Sequence, residues 1–172
     1  MADPAAALER FSPPVREWFT ATFRAPTPPQ TEGWPAIADG DHTLILAPTG
    51  TGKTLSAFLW ALDRLAVEPL PDDERARTRV LYLSPLRALA VDIEKNLRAP
   101  LQGIGFAADR TGDTVHTPTV GIRTGDTSTQ DRRRLVRHPP DILITTPESL
   151  FLMLTSQARE TLANVQHVII DE

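Results

Sequence analysis

Short apolar runs alternate with longer helical patterns along this sequence, and that rhythm constrains the fold more than any other feature. The runs are rich in β-branched residues or leucine, and most are continuously apolar, as in strands that are covered on both faces. Helices fill the intervals, and such an order predicts an α/β fold with parallel strands joined by helical crossovers. The predicted strands are residues 43–47, 80–84, 119–123, 142–145 and 167–171. The predicted helices are residues 14–23, 30–38, 53–66, 87–98, 129–136 and 148–154, with a further turn around 159–162 and exposed loops at 68–78 and 108–118.

Composition narrows the class of protein. The chain has 172 residues with 41% hydrophobic and 23% charged content, which is typical of a single globular domain. No apolar run approaches the roughly 20 residues of a membrane span, and the first ten residues are too polar for a secretory signal, so a cytoplasmic protein is expected. There is no cysteine and the four histidines are scattered, which predicts no structural metal. A net charge of -4 means that any binding to nucleic acid must be local.

The most specific motif is the phosphate-binding loop that lies between the first predicted strand and the helix after it. Residues 47–54 are Ala-Pro-Thr-Gly-Thr-Gly-Lys-Thr. Glycines allow a tight turn that brings backbone N–H groups and a helix N-terminus against phosphate oxygens. The lysine would reach the β- and γ-phosphates, and the last threonine would place its hydroxyl on a magnesium ion. The sequence therefore predicts an ATP site at Pro48, Thr49, Gly50, Thr51, Gly52, Lys53 and Thr54; a plain glycine turn with a solvated lysine is the alternative.

A second motif is the pair of acids that ends the last predicted strand, Asp171 and Glu172. Ligands bind at the carboxyl edge of open parallel sheets. We expect Asp171 to hold the magnesium ion and Glu172 to orient or deprotonate the attacking water, so that these two and Lys53 are the predicted catalytic residues. The alternative is an acidic pair at the surface.

These motifs carry a family resemblance. The sequence resembles the DExH-type helicases of superfamily 2, and more closely the large helicase-related (Lhr) family of DNA-dependent ATPases. The resemblance runs from about Phe11 to the last residue, and alanine at position 47 is common in such helicases. It rests on six blocks in the family's order, namely Ala-Pro-Thr-Pro-Pro-Gln at 25–30, the phosphate loop, Ser-Pro-Leu-Arg-Ala-Leu at 84–89, Thr-Gly-Asp-Thr at 124–127, Thr-Pro-Glu-Ser at 146–149 and Asp171-Glu172.

The resemblance implies a fold and several roles. The fold would be a RecA-like P-loop NTPase domain at residues 41–172, with helices on both faces of a mostly parallel sheet, preceded by a helical segment at 1–40. Gln30 would read the adenine edge, with Phe23 nearby. Three segments would contact the backbone of a single strand, each with a plain turn as the alternative: Pro85, Leu86 and Arg87; Gly125, Asp126 and Thr127; and Thr146, Pro147 and Glu148. The basic residues Arg132, Arg133, Arg134 and Arg137 are expected to form a solvated helix face, with an extension of the basic track along the strand as the alternative.

The implied function is that of an ATP-dependent helicase or translocase acting on single-stranded DNA or RNA, with DNA favoured. In this family the DExH box continues past position 172. The strand that follows the box lies between the phosphate-loop strand and the strand ending at Asp171. A second RecA-like domain supplies an arginine that stabilises the transition state. A truncated, marginally stable domain that binds ATP and magnesium without efficient turnover is therefore expected. Two alternatives stay open: a small-molecule or nucleoside kinase, and a decayed nucleotide-binding module without catalysis.

Overall fold

A computed structural model describes residues 3–171 and confirms the α/β class. No helix in this described range is long and apolar enough to cross a membrane. Seven helices and four strands are present among these residues, with two short 3-10 helices at Glu74–Ala76 and Gln157–Leu162. The helices are α1 (Pro4–Glu9), α2 (Pro13–Thr22), α3 (Pro28–Ala38), α4 (Lys53–Val67), α5 (Arg87–Thr111), α6 (Thr129–Arg137) and α7 (Pro147–Leu154), and the strands are β1 (Val80–Leu83), β2 (Val120–Arg123), β3 (Ile142–Thr145) and β4 (His167–Ile170).

The described residues up to Val67, together with Pro100–Thr117, form a first compact unit that is helical. Its core is a cluster of aromatic rings packed edge to face. The ring of Trp34 is fully buried and lies 5.0 Å from Phe11 and 5.4 Å from Phe19 between centroids. Such pairs stabilise a core by about 0.5–1.5 kcal/mol each beyond the area that they bury. The segment before the phosphate loop is therefore part of the core.

The second unit comprises Glu68–Ala99 and the described residues from Pro118 onward, and it contains a parallel sheet of order β2-β3-β1-β4. Val80 at the start of β1 is in register with Ile142 of β3 on one side and with His167 of β4 on the other. The inner strands β1 and β3 are almost wholly buried, as their continuously apolar sequences require. Because all four strands run in the same direction, their carboxyl ends lie along one edge of the sheet.

One buried carboxylate fixes the opposite edge of this sheet. Asp141, which is fully buried just before β3, accepts hydrogen bonds from the Thr119 N–H at 2.7 Å and the Thr119 hydroxyl at 2.8 Å. The Arg77 guanidinium lies 3.2 Å from its other oxygen. A buried charge requires such partners, so Asp141 ties the starts of β2 and β3 to the segment that leads into β1.

The first predicted strand is wrong. Residues 43–47 are not a strand, and Leu44 and Leu46 are 82% and 85% exposed. A strand requires a hydrogen-bonded neighbour, and an apolar sequence alone does not provide one. In the described part of the chain β4 likewise pairs with β1 alone, and its Val168 and Ile170 side chains, which share one face, are exposed.

Helix α5 is longer than predicted, so the loop expected from residue 108 begins later. It continues through Pro100 to Thr111, because the residues beyond the proline bury an apolar stripe that includes Ile104 and Ala107. Proline is tolerated within a helix when the burial that follows it outweighs the lost hydrogen bond. Pro147 begins α7, and Pro85 precedes α5 by two residues.

Candidate nucleotide and nucleic-acid sites

The phosphate loop turns directly into helix α4. Gly50 and Gly52 both have φ of 82°, in the left-handed region that glycine adopts without strain. The Gly52 carbonyl then accepts a hydrogen bond from the Ser56 N–H at 2.9 Å, which begins the α4 helix. Lys53 and Thr54, at the first two positions of α4, are exposed. The loop therefore presents a helix N-terminus, a cation and a hydroxyl together, which is the donor set that nucleotide phosphates require.

The start of helix α3 holds this loop from one side. The Thr27 hydroxyl donates a hydrogen bond to the Thr51 carbonyl at 2.8 Å. The Thr27 N–H donates to Gln30 Oε1 at 2.9 Å, as in a helix capping box. Gln30 is only 4% exposed, and its Nε2 lies so near Gly52 that a Cβ built there would be 2.7 Å away. Thr27 and Gln30 therefore link the beginning of α3 to the turn of the phosphate loop.

Phe23, which the resemblance places near the adenine, lies at the end of α2 and is 40% exposed. Its ring is 4.9 Å from that of Phe19. Both rings line a small cavity of about 170 Å³ whose wall also includes Leu8 and Arg24. Phe23 thus lies at a surface hollow, while the amide of Gln30 is directed toward the phosphate loop.

In the second unit, the three segments expected to contact a single strand follow β1, β2 and β3 at the carboxyl edge of the sheet. Hydrogen bonds join the strand ends there. The Ser84 N–H donates to the Thr145 carbonyl at 2.9 Å, and the Thr145 hydroxyl donates to the Arg123 carbonyl at 2.6 Å. The sheet thus brings together three segments that are far apart in the sequence.

Charged and backbone groups of two segments meet at this edge. Arg87 Nη1 lies 2.5 Å from Asp126 Oδ2, and both side chains are largely exposed. The guanidinium packs on Gly125, where a Cβ would be only 2.6 Å from Nη2. Arg132 Nη2 donates to the Gly125 carbonyl at 2.8 Å. Arg132 therefore supports the turn, and its assignment to a solvated face is wrong.

The basic residues around this turn differ in environment. Arg133, Arg134 and Arg137 are exposed, in keeping with a solvated face of α6. Burial lowers the pKa of the Arg123 guanidinium, and the nearby charge of Arg132 lowers it further. An arginine stays protonated in such surroundings, so Arg123 and Arg132 are two neighbouring, partly buried cations.

The third segment begins with a helix cap. Thr146 is buried, and its Oγ1 accepts a hydrogen bond from the Ser149 N–H at 3.4 Å at the start of α7. Pro147 and Glu148 are exposed. Glu148 has the charge that the helix dipole favours in a first turn. A carboxylate repels phosphate, so the contribution of this segment to a strand would come from its backbone.

Asp171 follows β4 at the same edge of the sheet. Its backbone N–H donates to the Leu83 carbonyl at 3.1 Å. Its Oδ2 accepts a hydrogen bond from the hydroxyl of Tyr82, the single tyrosine of the chain. Glu172, the other predicted acid, lies outside the described residues. Asp171 is thus placed at the strand end that the sequence predicted and is held there by β1.

Comparison with known proteins decides the family. The family model described as DEAD/DEAH box helicase matches residues 27–172. The chain belongs to the DEAD/DEAH box helicase family. The match begins at Thr27, the residue whose hydroxyl holds the phosphate loop.

Two curated relatives of this helicase domain confirm its resemblance to the Lhr group. It is 59% identical to the Lhr helicase/probable uracil glycosylase of Mycolicibacterium smegmatis over 171 residues, and 53% identical to the Lhr helicase/uracil glycosylase of Escherichia coli over 175 residues. Each alignment covers 99% of this chain and 11% of the relative. The chain therefore spans about a tenth of the length of these two relatives.

A solved structure confirms the RecA-like fold. This helicase domain is similar, with a TM-score of 0.90 and 59% identity, to the Mycobacterium smegmatis helicase Lhr, which was solved bound to single-stranded DNA and AMP-PNP. The similarity covers 96% of this chain and 21% of that one.

Three residues of this helicase domain were missed as contributors to its sites. Thr27 had a visible signal, because a threonine three residues before a glutamine is the capping-box pattern. Arg132 and Tyr82 had no such signal. The carbonyl that Arg132 contacts depends on how α6 packs against the turn at Gly125. The Asp171 side chain becomes a neighbour of Tyr82 only when the strand order is known.

Proposed function

We propose that this helicase domain binds ATP with magnesium at its phosphate loop and holds a single nucleic-acid strand, preferentially DNA, at the carboxyl edge of its sheet. The observation that carries the proposal is the loop itself. Its two left-handed glycines lead directly into α4, and Thr27 and Gln30 hold the turn in place. A loop that is held in this way requires little reorganisation to accept phosphate.

The chemistry of the residues fits a magnesium nucleotide. Backbone N–H groups at the start of α4 would face phosphate oxygens, and Lys53 would neutralise part of their charge. Magnesium, when bound, spreads the charge of the phosphates, and it prefers oxygen ligands such as the Thr54 hydroxyl and the Asp171 carboxylate. The AMP-PNP bound by the solved Lhr relative supports this assignment. Gln30 and Phe23 are proposed to contact the base, and Glu172 the attacking water.

The nucleic-acid surface would hold phosphates without reading sequence. Arg87, the exposed turn at Gly125 and the N-terminus of α7 offer donors to a phosphate backbone. Arg87 is paired with Asp126, so a phosphate would have to replace that carboxylate. The single-stranded DNA in the solved Lhr relative favours DNA as the partner.

We place efficient hydrolysis and strand movement with a longer protein that includes a second RecA-like domain. In phosphoryl transfer an arginine that stabilises transition-state charge contributes roughly 10³–10⁵ in rate. The second domain is proposed to supply it. These 172 residues alone are expected to bind ATP with negligible turnover.

Calorimetry with Mg-ATP tests the proposal. Lys53→Ala removes a charge-assisted contact, an effect of about 1.5–3 kcal/mol, and should weaken affinity roughly tenfold to a hundredfold. Lys95→Ala is the matched control, because Lys95 is an exposed lysine in α5 and should leave affinity unchanged. Absence of heat with folded protein, or equal affinities for the two variants, would contradict ATP binding at this loop. Robust DNA-stimulated phosphate release by the 172-residue chain would contradict the assignment of turnover to a longer protein.

A further inference from the structure

We propose that Tyr82 is the positioning residue for the magnesium-binding carboxylate of this domain: its phenol hydroxyl holds Asp171 Oδ2, so that Oδ1 would remain to serve the metal. This inference rests on the proposed function, in which Asp171 serves the magnesium ion of the bound nucleotide. Tyr82 itself would touch neither the nucleotide nor the metal.

The sheet register explains why this residue reaches Asp171. Tyr82 in β1 is opposite Ile169 in β4, and Asp171 lies two residues further along. Side chains at positions i and i+2 of a strand share a face and are about 6.6 Å apart along it. A tyrosine ring that leans along the strand spans this distance and places its hydroxyl at the carboxylate. The hydrogen bond between the Tyr82 hydroxyl and Asp171 Oδ2 is the result.

Burial makes the contact directional. Tyr82 is 2% exposed, so its ring is held by the core and cannot swing away from the strand end. The Asp171 N–H is fixed by the Leu83 carbonyl. The carboxylate is therefore held at its backbone and at one oxygen, which restricts its χ1 and χ2 rotation.

The chemistry of a phenol suits this role. An ionised carboxylate only accepts hydrogen bonds, and a neutral O–H donor occupies one oxygen without cancelling the charge that attracts a cation. A lysine or arginine at this place would compete with magnesium. Groups that orient metal ligands in this way typically contribute 10–100-fold to metal affinity.

A purely structural role for Tyr82 makes a different prediction. If the ring only fills the core, then Tyr82→Phe, which keeps the ring and removes the hydroxyl, should leave magnesium dependence unchanged. If the hydroxyl orients Asp171, then the same change should weaken the response to magnesium and leave metal-free nucleotide binding intact.

The experiment measures binding of a fluorescent ATP analogue to the 172-residue chain across a magnesium titration, with a parallel titration in EDTA. We expect Tyr82→Phe to raise the half-saturating magnesium concentration about tenfold, with no change in EDTA. Thr155→Val, which also removes one hydroxyl but at the exposed end of α7, should match the wild type. Asp171→Asn should shift the magnesium dependence at least as far as Tyr82→Phe.

The outcomes separate this inference from the proposed function. A shift for Asp171→Asn without one for Tyr82→Phe overturns the inference alone, as does an equal loss for Tyr82→Phe with and without magnesium. No shift for Asp171→Asn means that Asp171 does not serve the metal, and the proposed function fails at that residue.

A second measurement keeps the ring and the hydroxyl of Tyr82 and so does not depend on how the Tyr82→Phe variant folds. Since Tyr82 is the single tyrosine, 3-fluorotyrosine incorporated into the chain gives one ¹⁹F resonance. We expect that resonance to move when magnesium is added to the nucleotide complex, and to stay still in Asp171→Asn. If magnesium does not shift this resonance in the wild-type background, the inference is overturned.

Discussion

Replacing Gly52 by alanine tests how the phosphate loop is held in place. Gly50 and Gly52 have the same φ, 82°. A Cβ at either position meets the left-handed penalty of about 1–2 kcal/mol. The two sites differ in their surroundings. A Cβ at Gly52 would lie 2.7 Å from Gln30 Nε2 and 3.6 Å from Thr27 Oγ1, whereas a Cβ at Gly50 meets nothing within 4 Å.

The expected magnitudes follow from this difference. To make room at position 52, the buried Gln30 amide must move, and its hydrogen bond from the Thr27 N–H is then lost or lengthened. A lost bond of this kind is worth about 1 kcal/mol. We therefore expect Gly50→Ala to lower the free energy of unfolding by about 1–2 kcal/mol and Gly52→Ala by about 2–3 kcal/mol.

Urea unfolding of the two single variants measures the difference, and a double-mutant cycle identifies its source. Gln30→Ala removes the group that the new Cβ would strike, so Gly52→Ala should lose about 1 kcal/mol less in that background than in the wild type. Gly50→Ala should lower the free energy of unfolding by the same amount in the Gln30→Ala background as in the wild type. Equal losses for the two glycine variants, or strict additivity of Gly52→Ala with Gln30→Ala, would refute the view that Gln30 holds the turn.

Three further predictions concern the second unit. Arg87→Ala should weaken binding of single-stranded DNA and reduce the slope of log K against log salt by about 0.7, as expected for one lost phosphate contact, whereas Arg98→Ala should change neither. Asp126→Asn should strengthen binding, because the carboxylate no longer competes for Arg87; unchanged or weaker binding in fluorescence anisotropy would exclude that competition. Burial lowers the pKa of the His167 imidazole below its usual 6.5, and the Glu68 carboxylate opposes that shift. Protonation therefore favours the unfolded chain, so stability should be highest above pH 6.5 and should fall as the pH drops toward the lowered pKa of His167. His167→Gln should reduce this pH dependence, measured by thermal unfolding at several pH values. His42→Gln, at an exposed site, should leave it unchanged.

The sequence predicted the elements whose signal is local burial. Strand β3 was predicted with its observed ends, and the parallel arrangement followed from the alternation of apolar runs with helices. The prediction of a strand at residues 43–47 was wrong because an apolar sequence indicates only that a segment prefers to be buried. A strand also requires a neighbouring strand to complete its hydrogen bonds. Helix α5 extends beyond its predicted end at residue 98, because the residues after Pro100 bury an apolar stripe that the local pattern up to residue 98 does not reveal.

The candidate sites also contain features that follow from local sequence and features that depend on tertiary contacts. The glycine turn that leads into α4 could be predicted because its residues are contiguous and its conformation depends mainly on the backbone. Asp171 was placed correctly at its strand end, but its link to Tyr82 required the knowledge that β1 and β4 are neighbours. The turn at Gly125 was expected, whereas the support that it receives from Arg132 depends on how α6 returns across the end of β2.

Within residues 3–171, β4 has no hydrogen-bonded neighbour on its outer side, and this bears on how the 172-residue chain should be handled. Unpaired N–H and C=O groups beside exposed branched side chains are a template on which another copy can add its own strand. A high protein concentration would favour such strand addition. The resulting aggregates would lower the measured number of ligand sites. Titrations are therefore best performed in dilute solution, with light scattering recorded alongside.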